Sequence, residues 1–571
     1  MWRVLPALTI AVSTLVHAAE KPADLVLRHG VVLTVDAKDR VARALAIREG
    51  RIVAVGSDSV VTPLIGPKTR VVDLAGRTAT PGLIDTHAHL LGGGADEIYQ
   101  IDLKRTASVT ELLAMVKARA DAAAPGDWVL GHGWNEGVLA EHRPPTLAEL
   151  DAVSNGHPIL LENITHHYAV VNSAALAMAH IDSTTKDPPA GTIVRDSGGL
   201  PTGVLKEAAQ SIVVGRIPPN TPEQYKATLH AMIGQMHAEG MTGVKDPHGD
   251  AREWAAYLDF ASTEGLSIHA CLLIYAGANL DTAKAALELV KRARREAKAL
   301  SSGDLGVCGV KILIDGSAVA RTAWRYEDYA VDAQHPAPTG RGYPTVEPDV
   351  YRQMVLLFNR AGVTVGTHTI GDRAIDLVVD TYAAALTETP TVGLRHSVIH
   401  AHEPTQHAVA VMADLQKRYD AAIPETQAEF LWGLGDSLPG SFGPERSQHL
   451  MPLATYRRHG MIFASGSDYP VTPLPARYGL WASVAREPMK GTYGPHPFGT
   501  DEAIDVHTAL RSYTIWAARQ LFIEHQTGSL EPGKWADIAV WDRNPYAVPT
   551  VELKDMRCEI TLYKGKVVFE R

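Results

Sequence analysis

Two histidines one residue apart, His87 and His89, follow a Pro81-Gly82 turn signal and the short apolar pair Leu83-Ile84. In an extended chain alternate side chains share a face, so both imidazoles point the same way. Two imidazoles at the end of a buried strand make half of a metal site. The tripeptide alone is weak. With 25 His in 571 residues, about one His-x-His arises by chance, and His400-Ala401-His402 is a second. Weight comes from Lys311, His368, His400 and Asp468, which recur at or near the ends of later β-rich runs. Each has an ordinary reading: a hydrogen-bonded structural His, a Lys paired with an acid such as Asp315, or a turn Asp in Gly466-Ser467-Asp468-Tyr469-Pro470. On successive strands of one barrel they would gather at the carboxyl ends, where such barrels keep their active sites.

The elements that position these residues alternate. Strand-like runs at 243–246, 267–275, 309–314, 363–368, 394–400, 420–424 and 461–466 are separated by helical patterns, including 222–239, 281–300 and 348–361. With a first strand at 79–87 the count is eight, which predicts an α/β fold with a closed (β/α)8 TIM-like barrel. On the strand at 309–314, Lys311 and Leu313 face inward, Val310 and Ile312 outward. Both ends of the chain read as short strands with turns. They lie at 24–28, 31–35, 44–48 and 51–56, and at 538–541, 559–563 and 566–569, which predicts a composite β-sandwich built from both termini. About 130 residues between the first strand and Pro222 are too many for a loop. They contain helical stretches at 109–124 and 173–179 and strands at 128–131 and 158–162, which predicts an insertion domain after the first barrel strand. The expected boundaries are 1–19 for a leader, 20–76 with 529–571 for the sandwich, 77–100 with 222–528 for the barrel, and 101–221 for the insertion.

The net charge of −10 is spread along the chain, which argues against a nucleic-acid surface. Arg3, an apolar run of 13 residues at 4–16 and Val16-His17-Ala18 read as a secretory signal peptide ending at residue 18 or 19. A periplasmic or secreted address follows, with no membrane partner after cleavage. Three cysteines at irregular spacing make no disulfide framework, and Cys271 and Cys308 read as buried core residues.

The chain resembles the amidohydrolase superfamily, and within it the amidohydrolase-3 (YtcJ-like) branch, over about residues 25–566. The resemblance rests on 79–89, on 131–135, 144–151, 167–176 and 201–208 in the insertion, and on 311–323, 367–375, 395–401, 466–471 and 528–537. The segment Lys-Ile-Leu-Ile-Asp-Gly-Ser-Ala-Val-Ala-Arg-Thr-Ala at 311–323 is among the most specific. It implies one or two divalent ions, commonly Zn²⁺: His87, His89 and Asp468 on the first, His368 and His400 on the second, and a carboxylated Lys311 bridging them. His402 is an alternative ligand to His400. Asp468 and Lys311 are the implied catalytic residues, with Asp468 as general base and then acid. A carbamate suits the site, because an unpaired ammonium inside a barrel beside cations is costly, whereas a carbamate offers two anionic oxygens.

His167, Trp134 and Arg321 are the candidate substrate-binding residues, with Asn135 and Asn172 beside them. Glu207 reads as a helix-surface carboxylate, and Asp372 with Arg373 as an ion pair capping a helix near Ala374. The expected activity is metal-dependent hydrolysis of a non-peptide C–N bond in an amide, formamide or cyclic amide of small size. An esterase on the same site and a catalytically dead secreted regulator are the alternatives, and a homodimer is left open.

Overall fold

The computed structural model describes residues 21–300, 302–331, 337, 339–491, 496 and 498–571. The signal-peptide reading of residues 1–18 or 1–19 lies outside the described residues. Eight parallel strands form one sheet: β1 (Leu83–Asp85), β2 (Met241–Gly249), β3 (His269–Tyr275), β4 (Leu305–Leu313), β5 (Thr364–Thr369), β6 (Ser397–His400), β7 (Ile423–Thr426) and β8 (Ala464–Ser465). They lie side by side in chain order. The two edges meet where Thr86 gives both its amide and its hydroxyl to the Ser465 carbonyl, at 3.1 and 3.0 Å. The result is a nearly closed, TIM-like barrel.

Local chemistry sets the surrounding helices. Thr221 caps Pro222–Ala238 with Pro at the first helical position, and Asn279 caps Leu280–Ala299. In the second helix Ala283, Ala286, Leu287, Val290 and Ala293 recur at three- and four-residue spacing and are buried. They pack in the same core as Val310 and Ile312, the outward residues of β4. Burial of each such Val or Leu contributes about 1.5–3 kcal/mol. Lys311, between them, therefore points into the barrel, as the alternation predicts.

The first strand departs from expectation. It is broken in two at Gly82: Thr78–Pro81 lies in a different sheet, and β1 ends at Asp85. A Cβ on Gly82 would stand 2.3 Å from the Thr242 hydroxyl, so only glycine lets the chain cross between the sheets. The sheet holding Thr78–Pro81 takes strands from both ends of the chain, in the order Lys566–Glu570, Cys558–Tyr563, Ile538–Trp541, Thr78–Pro81, Val31–Leu33, Val41–Ala42. A four-stranded sheet of Arg51–Gly56, Ala44–Arg48, Leu25–Arg28 and Arg70–Asp73 shares its core, with Leu27 and Ile47 in one cluster with Ile538 and Ile560. Between β1 and β2 a further six-stranded sheet runs Gly191–Arg195, Pro201–Glu207, Tyr168–Val171, Ile159–Asn163, Val129–Trp134, Ile101–Asp102.

Cys271 and Cys308 are buried as expected, but they are bonded to each other. They sit on neighbouring strands β3 and β4 with Cα atoms 5.6 Å apart. Their 37-residue spacing is one strand–helix–strand unit, which brings two distant positions side by side.

Candidate metal centre

The polar residues of the barrel gather at the carboxyl ends of its strands. His87 and His89 lie beyond β1 in a turn, not in an extended strand. Asp85 shapes that turn: its buried carboxylate accepts the His87 amide and both the amide and hydroxyl of Ser467, at 2.7–3.2 Å. Burial raises the Asp85 carboxyl to about 7. Gly466 must be glycine, because a Cβ would meet Asp85 Oδ1 at 2.5 Å and the His87 amide at 2.6 Å. Asp468, in the left-handed region at φ 57°, donates its amide to the His87 carbonyl at 2.6 Å. Two loops 380 residues apart are thus clamped, and both imidazoles reach one oxygen: His87 Nε2 and His89 Nε2 lie 3.2 and 3.3 Å from Asp468 Oδ1.

From the far wall, His400 and His368 approach with ring centroids 4.5 Å apart, and His87 stands 5.1 Å from His400. Ligand atoms of His87, His400 and Asp468 all lie within 4.8 Å of one another. His400 Nδ1 bonds Gln427 Oε1 at 2.7 Å, so it carries the proton and Nε2 keeps its lone pair. Burial, then the Lys311 charge, holds His87 down to about 3, and burial holds His368 and His400 well below the usual imidazole range. All three rings are therefore neutral, the form that ligates. Burial opposes ionisation of Asp468, but the hydrogen bonds from the facing His87 and His89 rings favour the carboxylate and its carboxyl is held low. Neutral imidazoles around an ionised carboxylate fit a divalent ion with nitrogen and oxygen donors.

Lys311 lies inside this ring, with Nζ 3.3 Å from His87 Nε2. Burial pushes it down to about 7. The ordinary alternative, a Lys311–Asp315 pair, does not form among the described residues. Asp315 instead accepts the amides of Trp324, Ile370 and Gly371, at 2.9–3.4 Å, and so ties the loops after β4 and β5 together. Below Lys311, Lys245 of β2 and Glu425 of β7 form a buried ion pair.

The candidate substrate residues separate. His167 lines the cavity beside the cluster, its ring centroid 5.0 Å from His368, and Nδ1 bonds the Glu207 carboxylate at 2.9 Å. Glu207 is not on a helix surface: it ends the strand Pro201–Glu207 and is buried. Trp134 does not reach the cavity. It is fully buried in the core of its own sheet, with its indole N–H on the Leu161 carbonyl. Arg321 spends its guanidinium on the carbonyls of Ala330 and Gly440, and so bridges loops. Asn135 and Asn172 hold backbone amides, the latter as cap of Ser173–Met178. Asp372 opens the helix Asp372–Glu388 and accepts the Tyr326 and Arg373 amides, while the Arg373 guanidinium stacks 4.4 Å over Trp324. His402 lies outside the three-residue cluster, on the cavity wall against Phe430, and neither ring nitrogen has a partner.

Sequence reasoning missed Asp85, Gln427 and the Lys245–Glu425 pair. Asp85 stood inside the most informative stretch and could have been found as its turn-former. The other two have no signal without the barrel's register.

A parallel eight-stranded barrel with imidazoles and a carboxylate converging at its carboxyl end gathers the donors that a divalent ion takes. The chain belongs to the amidohydrolase family, whose model matches residues 70–569. It is similar to the putative amidohydrolase YtcJ of Bacillus subtilis, with 28% identity covering 92% of this chain and 96% of that one. It is also similar to an N-substituted formamide deformylase of Arthrobacter pascens, with 28% identity covering 96% and 98%. Among solved structures, an uncharacterized metal-dependent hydrolase of Pyrococcus horikoshii shares the fold. Its TM-score is 0.69 at 22% identity, covering 92% of this chain and 99% of that one.

Proposed function

We propose that the protein hydrolyses a non-peptide C–N bond of a small amide, formamide or cyclic amide. The observation that carries this reading is the convergence of His87, His400 and Asp468 within 4.8 Å beside a lined cavity. His87, His89 and Asp468 would hold one divalent ion, with Zn²⁺ the first choice, and His368 and His400 a second, bridged by a carboxylated Lys311. A bound ion supplies Lewis acidity, lowering the pKa of water to about 7 and polarising a carbonyl. Asp468 takes the proton of the attacking water and returns it to the leaving nitrogen. His167, fixed by Glu207, orients the substrate, and Phe430, Leu434, Leu438 and Val471 keep water from the reacting bond. The resemblance to a formamide deformylase supports the choice of bond.

The test is a screen of N-substituted formamides, N-acyl amino acids, lactams and hydantoins against Zn²⁺-loaded enzyme. Metal-dependent release of an amine is expected. Release from none of these classes by metal-replete protein overturns the C–N reading. The carbamate is tested by Lys311→Ala, which should lose the second ion and most turnover and regain part of it with acetate or propionate. Full activity without rescue removes that role.

We also read the terminal sheets as one composite sandwich and 101–221 as an insertion domain, each carrying its own core. An exported address is supported by the Cys271–Cys308 bond, since such bonds persist in oxidising compartments. N-terminal sequencing from the native host should begin near Ala19 or Glu20, and a retained Met1 would remove that reading.

A further inference from the structure

A second group of ligating side chains lies where the helix after β1 faces the strands of the 101–221 segment. Asp96 sits on that helix, Leu90–Tyr99, Glu162 on the strand Ile159–Asn163, and His166 in the turn after it. Each brings a ligand atom to within 4.8 Å of the others. His166 Nδ1 bonds Glu162 at 2.9 Å, which leaves its other ring nitrogen a lone pair. Strand register builds the rest. His132 is in register with Glu162 on one side and with Asp102 on the other, so the three side chains leave one face of the sheet. Residues of the opposite parity, Val129, Ile159 and Leu161, pack in the core with the helix Val109–Ala122.

His132 is the independent observation. It is fully buried, and neither ring nitrogen has a hydrogen-bond partner. A buried polar group left so costs about 1–3 kcal/mol. Burial, then the Lys104 charge, holds its ring down to about 4, the neutral form that ligates. Lys104 pairs with Glu97 at 3.1 Å, Gln100 donates to one Asp96 oxygen at 2.5 Å, and the Glu162 charge lies close enough to act on Asp96.

We propose that Asp96, Glu162, His166 and His132 form a second divalent-cation site, which ties the 101–221 segment to the helix after β1. Two carboxylates and two imidazoles suit Zn²⁺ or Mn²⁺. The side chains of His166 and Glu162 are 28% and 20% exposed, so an ion can enter from solvent. None of the four residues serves the hydrolytic site.

The experiment uses full-length, metal-stripped His87→Ala/His400→Ala protein, in which each of the two ions proposed for the main centre loses a ligand. Zn²⁺ and Mn²⁺ are titrated by equilibrium dialysis with elemental analysis, and melting is followed by circular dichroism. One of the two ions should bind at one equivalent and raise the melting temperature. Adding Glu162→Gln or Asp96→Asn should weaken that binding at least tenfold and abolish the rise. If the folded double variant takes up neither ion, or Glu162→Gln and His132→Leu leave uptake unchanged, the site does not exist. Should the double variant not fold, the wild-type background decides. There Glu162→Gln should lower the metal count by one at unchanged turnover, and an unchanged count overturns the proposal.

Discussion

Two buried histidines at opposite ends of the barrel wall are treated in opposite ways. His269 opens β3, at the amino end. Its Nε2 bonds Asp537 at 2.8 Å, and its ring lies 5.0 Å from Tyr563, whose hydroxyl donates to Asp304. Asp537 also accepts the Lys564 amide at 2.8 Å. His402, just past β6 at the carboxyl end, has no partner on either nitrogen, and His87 has none on Nδ1. There, too, His400, Ala401 and Asp468 sit at φ between 47° and 71°, where an L-residue pays roughly 1–2 kcal/mol. One end of the barrel spends its polar groups on holding the terminal strands. The other leaves ring nitrogens of His87 and His402 without a partner, available to a ligand.

The contrast breaks most sharply at the carboxyl end. His87→Ala or Asp468→Ala should reduce turnover by roughly 10³-fold or more, since the Lewis acid is worth several kcal/mol. Bound metal should fall while the circular dichroism spectrum stays the same. Near-wild-type turnover in either variant would show that the cluster does no chemistry.

At the amino end the same kind of change should act on stability. Asp537→Ala leaves His269 and the Lys564 amide without their acceptor and should cost about 3 kcal/mol, read as a lower denaturant midpoint. Turnover per folded molecule should not change. A large loss of turnover at full stability would mean that the two ends are not separate in role.

The smallest effect sharpens the comparison through pH. His396 is buried just before β6, at the amino end, with Nδ1 accepting the Val365 amide and Nε2 on Asn359, each at 3.0 Å. Burial lowers it to about 3. Its folded pKa lies below the unfolded value of about 6.5, so below pH 6.5 the unfolded chain binds the proton and the folded one does not. Stability should fall by about 2 kcal/mol between pH 7 and pH 5 from this group alone. His396→Gln should flatten the slope of stability against pH by that amount, and an unchanged slope would rule the group out.

The barrel was legible in the sequence because each strand is a short apolar run and each helix repeats at three- and four-residue spacing. That His87, His368, His400, Lys311 and Asp468 gather at one end of the barrel was legible because strand ends are where such a fold exposes its side chains. What stayed hidden depends on register. Cys271 and Cys308 look unrelated until two parallel strands set them side by side. Trp134 reads as a pocket residue from its place in the insertion's motif, yet a register shift between His132 and Trp134 turns it into the core. Arg321 carries a charge that reads as an anion binder, and loop carbonyls consume it. Glu207 looked helical, since nothing local reveals that its strand ends against His167.

The break at Gly82 also bears on the order in which this molecule can be completed. Thr78–Pro81, just ahead of the His pair, is flanked in its sheet by Val31–Leu33 on one side and by Ile538–Trp541 on the other. The first of these neighbours is synthesised early, and the second comes within the last 34 residues of the 571. A growing chain therefore carries an open edge on Thr78–Pro81 until Ile538–Trp541 has been made. Thr78–Pro81 is paired on both edges only once Ile538–Trp541 is in place, so a late segment acts as a lock on an early one.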